Sequence, residues 1–102
     1  MKKFERDGKI AVLLSPGFGA GWFTWNSENR ELLFDPEIVE AVLADDRTKA
    51  ARIAETKWPD GYYGGASDLV VKWVEPGTAF RIDEYDGSES FVAMDREEYI
   101  VA

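Results

Sequence analysis

The pattern of hydrophobic and polar positions divides the chain into an early strand, a helical stretch and a later series of strands. Residues 10–14 form a continuous apolar run that is rich in β-forming types. Such a run is typical of a strand that is buried on both faces. We therefore predict a first strand from Lys9 to Leu14, ended by a Ser-Pro-Gly sequence.

Helical periodicity follows between residues 35 and 57. Asp35 is a good N-cap, and Pro36 suits the first helical position because its fixed φ is compatible with a helix. Four apolar residues then share one face at helical spacing: Ile38, Val39, Val42 and Leu43. Asp45 and Asp46 end this helix, and they can cap a second helix over roughly residues 46–57. The two segments form either a helical hairpin or one bent helix.

The last third of the chain predicts an antiparallel meander. Alternation from Leu69 to Val74 indicates a strand, Pro76-Gly77 suits a type II turn, and Asp86-Gly87 is a strong hairpin signal. A short edge strand is expected from Tyr99 to Val101, where a second copy of the chain could pair to form a homo-oligomer. The order β-α-α-β-β-β predicts one α+β domain over residues 1–102. We expect a mainly antiparallel sheet with one or two short helices packed on one face.

Composition excludes several classes of function. The chain of 102 residues has no cysteine and no histidine, which removes thiolate metal sites and the commonest general base. Its net charge of −8 argues against direct binding to nucleic acid, because phosphates require clustered Lys and Arg. No apolar run approaches the roughly 20 residues of a membrane-spanning helix, and the start does not match a signal peptide. We expect a cytoplasmic protein without a cofactor or a bound metal.

Residues 15–31 predict an unusual loop in which three alternate glycines lie among large aromatic residues. The glycines match the dinucleotide fingerprint G-x-G-x-x-G only in part, since Trp22 occupies the third glycine position. The aromatic residues either cap the sheet core or form a recognition surface. A second Gly/aromatic loop is predicted at residues 62–66. On the second interpretation, the binding residues of the two loops are Phe18, Trp22, Trp25, Asn26, Arg30, Tyr62 and Tyr63. Arg30 suits a phosphate or a carboxylate.

Acidic residues are concentrated near the end of the chain, with seven acids against one arginine from Asp83 onward. They form either a solvated surface that favours solubility or a face that docks on a basic partner. The candidate contact face flanks the predicted hairpin and consists of Asp83, Glu84, Asp86 and Glu89. Their spacing does not fit a calcium-binding EF-hand loop.

Two stretches resemble a pattern in small, uncharacterised bacteriophage-encoded proteins. The first joins residues 12–22 to residues 34–39, and the second is residues 74–89, which together are about a third of the chain. The resemblance implies a phage or prophage gene that is expressed in the bacterial host cytoplasm, and it implies no activity or site. Small acidic phage proteins often inhibit host enzymes or defence systems, so the resemblance favours an inhibitor.

The sequence therefore favours a non-enzymatic binding protein that engages or inhibits a host protein through the aromatic loop and the acidic hairpin. Catalysis is not expected, because hydroxyl nucleophiles such as Ser15 lack a histidine base. An alternative is a protein that sequesters a small nucleotide-like ligand, whose phosphate Arg30 would hold. The rings stacking on its base would be Trp22, Trp25, Tyr62 and Tyr63. A further alternative is a structural or assembly component of a virion.

Overall fold

The apolar run after Lys9 forms the central strand of a first antiparallel sheet in the computed structural model, which describes residues 1–94 and 100–102. The sheet has the order β1-β2-β3. Its strands are β1 (Glu5–Arg6), β2 (Lys9–Leu14) and β3 (Val70–Val74). All of residues 10–14 are buried, as the apolar run predicts for a strand covered on both faces.

The turn between β1 and β2 is a hairpin that the sequence analysis did not predict. Asp7 and Gly8 occupy it with φ angles of 53° and 77°. An Asp-Gly pair favours this turn because both central residues require positive φ. The local signal was therefore present in the sequence.

The later strands form a second antiparallel sheet, so the single sheet that was expected is two sheets of three strands each. Its order is β5-β4-β6. The strands are β4 (Ala79–Tyr85), β5 (Ser88–Met94) and β6 (Ile100–Val101). The predicted Asp86-Gly87 hairpin is confirmed, because both residues have positive φ and Tyr85 pairs with Ser88.

The expected edge strand is described only in part, since Tyr99 lies outside the described residues. Its remainder, β6, pairs with β4 at the edge of the second sheet. The turn after β3 is also as predicted: Gly77 has φ 85°, and the Thr78 N–H donates to the Glu75 carbonyl at 3.2 Å. This turn is tied to the chain end, because Gly77 N donates to the Ala102 carbonyl at 2.7 Å.

Asp35 starts the main helical segment as predicted. Its carboxylate accepts the N–H groups of Glu37 (3.0 Å) and Ile38 (3.1 Å), which satisfies two donors of the first turn. The helices are α1 (Glu31–Phe34), α2 (Pro36–Leu43) and α3 (Arg47–Lys57). Asp45 lies between α2 and α3 with φ 59°, so the two form a helical hairpin rather than one bent helix. The short helix α1 was not predicted.

The helices and the second sheet pack against the first sheet to form the core. Helices α1 and α2 lie on β2, α2 also contacts β3, and α3 packs on α2 and on a 3₁₀ helix (Gly64–Asp68). Phe34 and Phe80 place their rings 6.2 Å apart in an edge-on arrangement, which links α1 to the second sheet. Among the described residues, no helix has the length and apolar character needed to cross a membrane.

Candidate binding surfaces

Glu89 was assigned to the exposed acidic face, and the structure corrects this assignment. Only 2% of the residue is exposed. One carboxylate oxygen accepts the Ser15 N–H at 3.0 Å, and the other accepts the Trp22 N–H at 2.9 Å. The second oxygen also accepts the backbone N–H (2.9 Å) and the hydroxyl (2.7 Å) of Thr24. These four hydrogen bonds offset the loss of hydration, which allows an acid to lie in the interior.

The glycine-rich loop, which is the loop predicted at residues 15–31, lies against the acidic β4–β5 hairpin. The sequence analysis predicted the two as separate features. The Gly19 N–H donates to the Asp86 carbonyl at 3.0 Å, and the Ser88 hydroxyl donates to the Pro16 carbonyl at 2.7 Å. Gly87 lies so close to the loop that an added Cβ would be 2.7 Å from the Ala20 nitrogen. The loop therefore holds the tip of the β4–β5 hairpin in place.

Two of the predicted binding aromatics belong to the core. Trp22 is fully buried, and its ring lies 5.6 Å from that of Tyr63, which is 7% exposed. The Trp22 indole N–H donates to the Leu32 carbonyl at 2.7 Å, and the Tyr63 hydroxyl donates to the Trp58 carbonyl at 2.5 Å. Each ring thus has an internal partner for its polar atom. Trp22 offers no face to a ligand, and Tyr63 contributes only a small exposed part to the lining of a cleft.

Asn26 joins the two Gly/aromatic loops instead of facing solvent. Its amide nitrogen donates to the carbonyls of Trp22 (2.6 Å) and Tyr62 (2.9 Å), and its oxygen accepts the Tyr62 N–H at 2.7 Å. The carboxamide is therefore engaged within the protein. The structure does bring the two loops together, as the site hypothesis required, and it does so through this residue.

Arg30 lies apart from the aromatic residues with which it was grouped. It lines a separate depression whose other residues include Phe23, Glu28 and Arg81. The structure brings four of the predicted residues together at one cleft, Trp25, Asn26, Tyr62 and Tyr63, whereas Trp22 is buried and Arg30 lies elsewhere.

The first exposed surface lies on the β4–β5 hairpin and on the glycine-rich loop beside it, and we call it the hairpin surface. It consists of Phe18, Asp83, Glu84, Tyr85 and Asp86. Phe18 and Tyr85 are 72% and 78% exposed, and with two of the acids they line one depression of about 460 Å³. Asp83 accepts a hydrogen bond from the Arg81 guanidinium at 2.7 Å, and Glu84 accepts the Gly87 N–H at 2.7 Å. Three of the four predicted acids therefore remain at an accessible face.

The second exposed surface is a cleft of about 500 Å³ between the two Gly/aromatic loops and the end of α3. We call it the aromatic cleft and define it by Trp25, Lys57, Trp58, Asp60 and Tyr62. The rings of Trp25 and Tyr62 have centroids 6.2 Å apart and planes inclined by 30°. They are 42% and 59% exposed, so these two predicted residues do present accessible faces.

The lysine of the aromatic cleft is held by carboxylates. The Lys57 ammonium lies 2.7 Å from the carboxylate of Asp35 and 2.7 Å from that of Glu37. The hydrogen bond that Lys57 donates to Asp35, followed by the one that it donates to Glu37, raises the pKa of Lys57 above its ordinary value of 10.5. The charge of Lys57 is thus compensated within the protein.

Sequence reasoning missed four residues of these surfaces: Lys57, Trp58, Asp60 and Tyr85. Tyr85 precedes the Asp86-Gly87 turn, and Trp58 follows α3 next to the second Gly/aromatic loop. Their positions beside predicted turns were the available signal, because side chains at turns often remain accessible. Within residues 1–94 and 100–102, no group of acidic side chains is arranged to hold a metal ion.

Comparisons with known proteins identify no relative. No protein-family model, no curated protein and no solved structure matches the chain. Function is therefore inferred from the chemistry of the two exposed surfaces.

Proposed function

We propose that this chain is a non-enzymatic binding protein that engages a basic protein through the hairpin surface. The observation that carries the proposal is the exposure of Phe18 and Tyr85 in a depression that Asp83 and Glu84 also line. Large aromatic side chains are strong anchors in protein interfaces, and exposed apolar patches with a polar rim are typical of such sites.

The charge of the hairpin surface favours a basic partner. In the described part of the chain, neither Glu84 nor Asp86 forms an ion pair, while Asp83 is paired with Arg81. The protein as a whole has a net charge of −8, which attracts a cationic partner over long range. A nucleic acid would be repelled by the same charges.

The rigidity of the hairpin further supports binding. The tip is held by the glycine-rich loop through the Asp86 carbonyl and the Ser88 hydroxyl, and the buried Glu89 holds the strand next to the turn. Because these contacts form within the protein itself, little order has to be gained when a partner binds. The two aromatic rings are therefore displayed on a preorganised support.

The resemblance to phage proteins implies that the basic partner belongs to the bacterial host. A chain that carries both acids and exposed aromatic rings can occupy a positively charged groove and exclude the natural ligand of that groove. Inhibition by occupancy requires no catalytic group, which agrees with the lack of histidine and cysteine.

Site-specific photo-cross-linking in bacterial cells tests the proposal. A benzophenone amino acid is placed at Phe18, at Tyr85 and, as a control, at exposed Glu40 on α2. We expect one and the same protein to be cross-linked from positions 18 and 85 but not from position 40. Absence of a common adduct from the two positions, or an equal adduct from position 40, would contradict the proposal.

Two double variants with the same change in net charge test whether the acids of the hairpin surface contribute to affinity. The binding partner is the protein identified by cross-linking, in purified form. Glu84→Gln with Asp86→Asn should lower the affinity about tenfold at 50 mM salt, and the difference should shrink as salt is added. Glu40→Gln with Glu55→Gln removes the same charge from the helices and should leave the affinity within about twofold of the wild type. Equal losses of affinity in the two double variants would show that only the net charge of the protein matters. That result would contradict the hairpin surface as the binding site.

A further inference from the structure

The aromatic cleft has a wall of three aromatic side chains that no part of the proposed function uses. Trp25 and Tyr62 are exposed with their rings 6.2 Å apart, and Trp58 is half-buried beside them. The faces of such rings carry partial negative charge and attract a cation placed within about 6 Å of the ring centre. The cleft volume of about 500 Å³ is large enough for a substituted ammonium group.

The charges around the cleft also favour a cation. Asp60 makes no ion pair with any residue that the structure describes, so its carboxylate remains available. Among the described residues that line the cleft, Lys57 is the only cation, and its charge is more than offset by the two carboxylates that it contacts. A phosphate or carboxylate ligand would meet a net negative site, whereas an organic cation would meet an attractive one.

The Asn26 carboxamide also lines the cleft, but it is not free to read the edge of a nucleobase, because both of its ends are engaged by backbone groups. A fully alkylated ammonium makes no directional hydrogen bonds, so it needs only aromatic faces and a nearby negative charge.

We propose that the aromatic cleft binds an alkylated ammonium group, with the rings of Trp25, Trp58 and Tyr62 as its walls and Asp60 as its counter-charge. Two sources supply this chemistry: a free quaternary ammonium compound, and the side chain of a methylated lysine on another protein. The site is separate from the hairpin surface and does not depend on it.

The backbone segments that carry the cleft walls are held by hydrogen bonds within the protein. Asn26 holds the backbone of Tyr62 against the first loop, and the Tyr63 hydroxyl holds the Trp58 carbonyl at 2.5 Å. Preorganisation of this kind reduces the ordering cost of binding, which matters for a site with few hydrogen bonds.

Titration of the purified protein, followed by NMR signals of the tryptophan indole N–H groups, provides the test. The probes are choline and 3,3-dimethylbutan-1-ol, which has the same shape but replaces the ammonium nitrogen by carbon. We expect choline to give saturable shifts at Trp25 and Trp58, with an affinity at least about fivefold above that of the neutral isostere. Equal affinity for both probes would show a merely apolar cleft, and a lack of saturable shifts would reject the site outright.

Variants assign the contacts and verify that the fold is kept. Trp25→Ala and Tyr62→Ala should each lower the choline affinity about tenfold, and Asp60→Asn about threefold. Tyr85→Ala removes an equally exposed ring from the hairpin surface and should have no effect. If one of the Trp25→Ala and Tyr62→Ala variants unfolds, the choline affinity of the other still tests the proposal. Unchanged affinity in both folded ring variants would overturn the assignment.

A second pair of probes distinguishes the two sources. Short peptides that carry either trimethyllysine or unmodified lysine are compared with choline on the wild-type protein. Tighter binding of the trimethyllysine peptide than of choline and of the lysine peptide identifies a protein side chain as the ligand. Tighter binding of choline identifies a free quaternary ammonium compound, and the site stands in both cases.

Discussion

Ser15 and Glu89 are joined by two hydrogen bonds that run in opposite directions. The Ser15 N–H donates to the Glu89 carboxylate at 3.0 Å, and the Glu89 N–H donates to the Ser15 carbonyl at 2.9 Å. This pair connects the end of β2 to the beginning of β5, so it fixes the two sheets relative to each other. The hairpin surface depends on that connection because β5 forms one arm of the hairpin.

Replacing the buried carboxylate should destabilise the fold. Glu89→Gln substitutes an amide donor for one acceptor oxygen, which leaves at least one backbone N–H of the loop without a partner. An unsatisfied buried donor costs about 1–3 kcal/mol, and we expect a loss of this size in urea unfolding. Glu40→Gln, on the exposed face of α2, is the matched control and should change stability by less than about 0.5 kcal/mol. Equal stability of the two variants would show that the Glu89 contacts are dispensable.

Gly65 should tolerate no side chain. A Cβ there would lie 2.8 Å from the Ala20 carbonyl oxygen and still closer to that of Gly21. Backbone atoms cannot move aside as a flexible side chain can, so we expect Gly65→Ala to cost about 1–3 kcal/mol in thermal or urea unfolding. Ser67→Ala, at an exposed position of the same 3₁₀ helix, should be nearly neutral. A neutral Gly65→Ala would mean that the two loops are not packed this closely.

The two helix caps differ in burial, and their removal should therefore differ in cost. Asp35 is 8% exposed, caps two N–H groups and contacts Lys57, whereas exposed Asp46 caps the single N–H of Lys49. Asp35→Ala should cost about 2 kcal/mol and Asp46→Ala about 1 kcal/mol in urea unfolding. Asp35→Asn keeps a capping oxygen and loses the charge, so its cost should fall between these values. The reverse ranking of the two alanine variants would contradict the cap assignments.

Stability should decline above about pH 10, in part because of Tyr63. Its burial, together with the negative charges of Asp60 and Glu55, raises the pKa of its hydroxyl above the ordinary value of 10.0. The unfolded chain therefore releases this proton at a lower pH than the folded chain, so stability falls as pH rises through the folded pKa. The raised pKa of Lys57 acts in the same direction.

Unfolding in urea at several pH values between 8 and 11 measures this decline. Tyr63→Phe should be less stable than the wild type at pH 8 by about 1 kcal/mol, because it loses the hydrogen bond to the Trp58 carbonyl. The stability of Tyr63→Phe should also fall less steeply at high pH than that of the wild type. Tyr85→Phe removes an exposed hydroxyl and serves as the control. A decline as steep in Tyr63→Phe as in Tyr85→Phe would show that Tyr63 does not contribute.

The two exposed surfaces should act independently. Phe18→Ala and Tyr85→Ala should each weaken binding to the purified partner and leave choline-induced NMR shifts intact. Trp25→Ala and Tyr62→Ala should have the opposite effects, since the surfaces share no lining residue. Loss of both properties in any one of these variants would indicate a single site or a global change in the fold.

Local patterns predicted most of the secondary structure. The helix start at Asp35, the Asp86-Gly87 hairpin and the buried first strand each depend on residues that are adjacent in sequence, so propensity and spacing were sufficient. The Asp7-Gly8 hairpin carried an equally local signal. The α+β class followed from the order of these elements.

Contacts between residues that are far apart in the sequence determine which side chains form the candidate binding surfaces. Periodicity could not show that Glu89 enters the interior, because its burial depends on N–H groups that lie 65 to 74 positions earlier in the chain. Nor could aromatic character separate Trp22, which is enclosed, from Trp25, which is exposed three residues later. The sequence by itself determined the elements and their turns. Only the tertiary structure determined which acids and rings face solvent, since a side chain is buried by whatever the rest of the chain places around it.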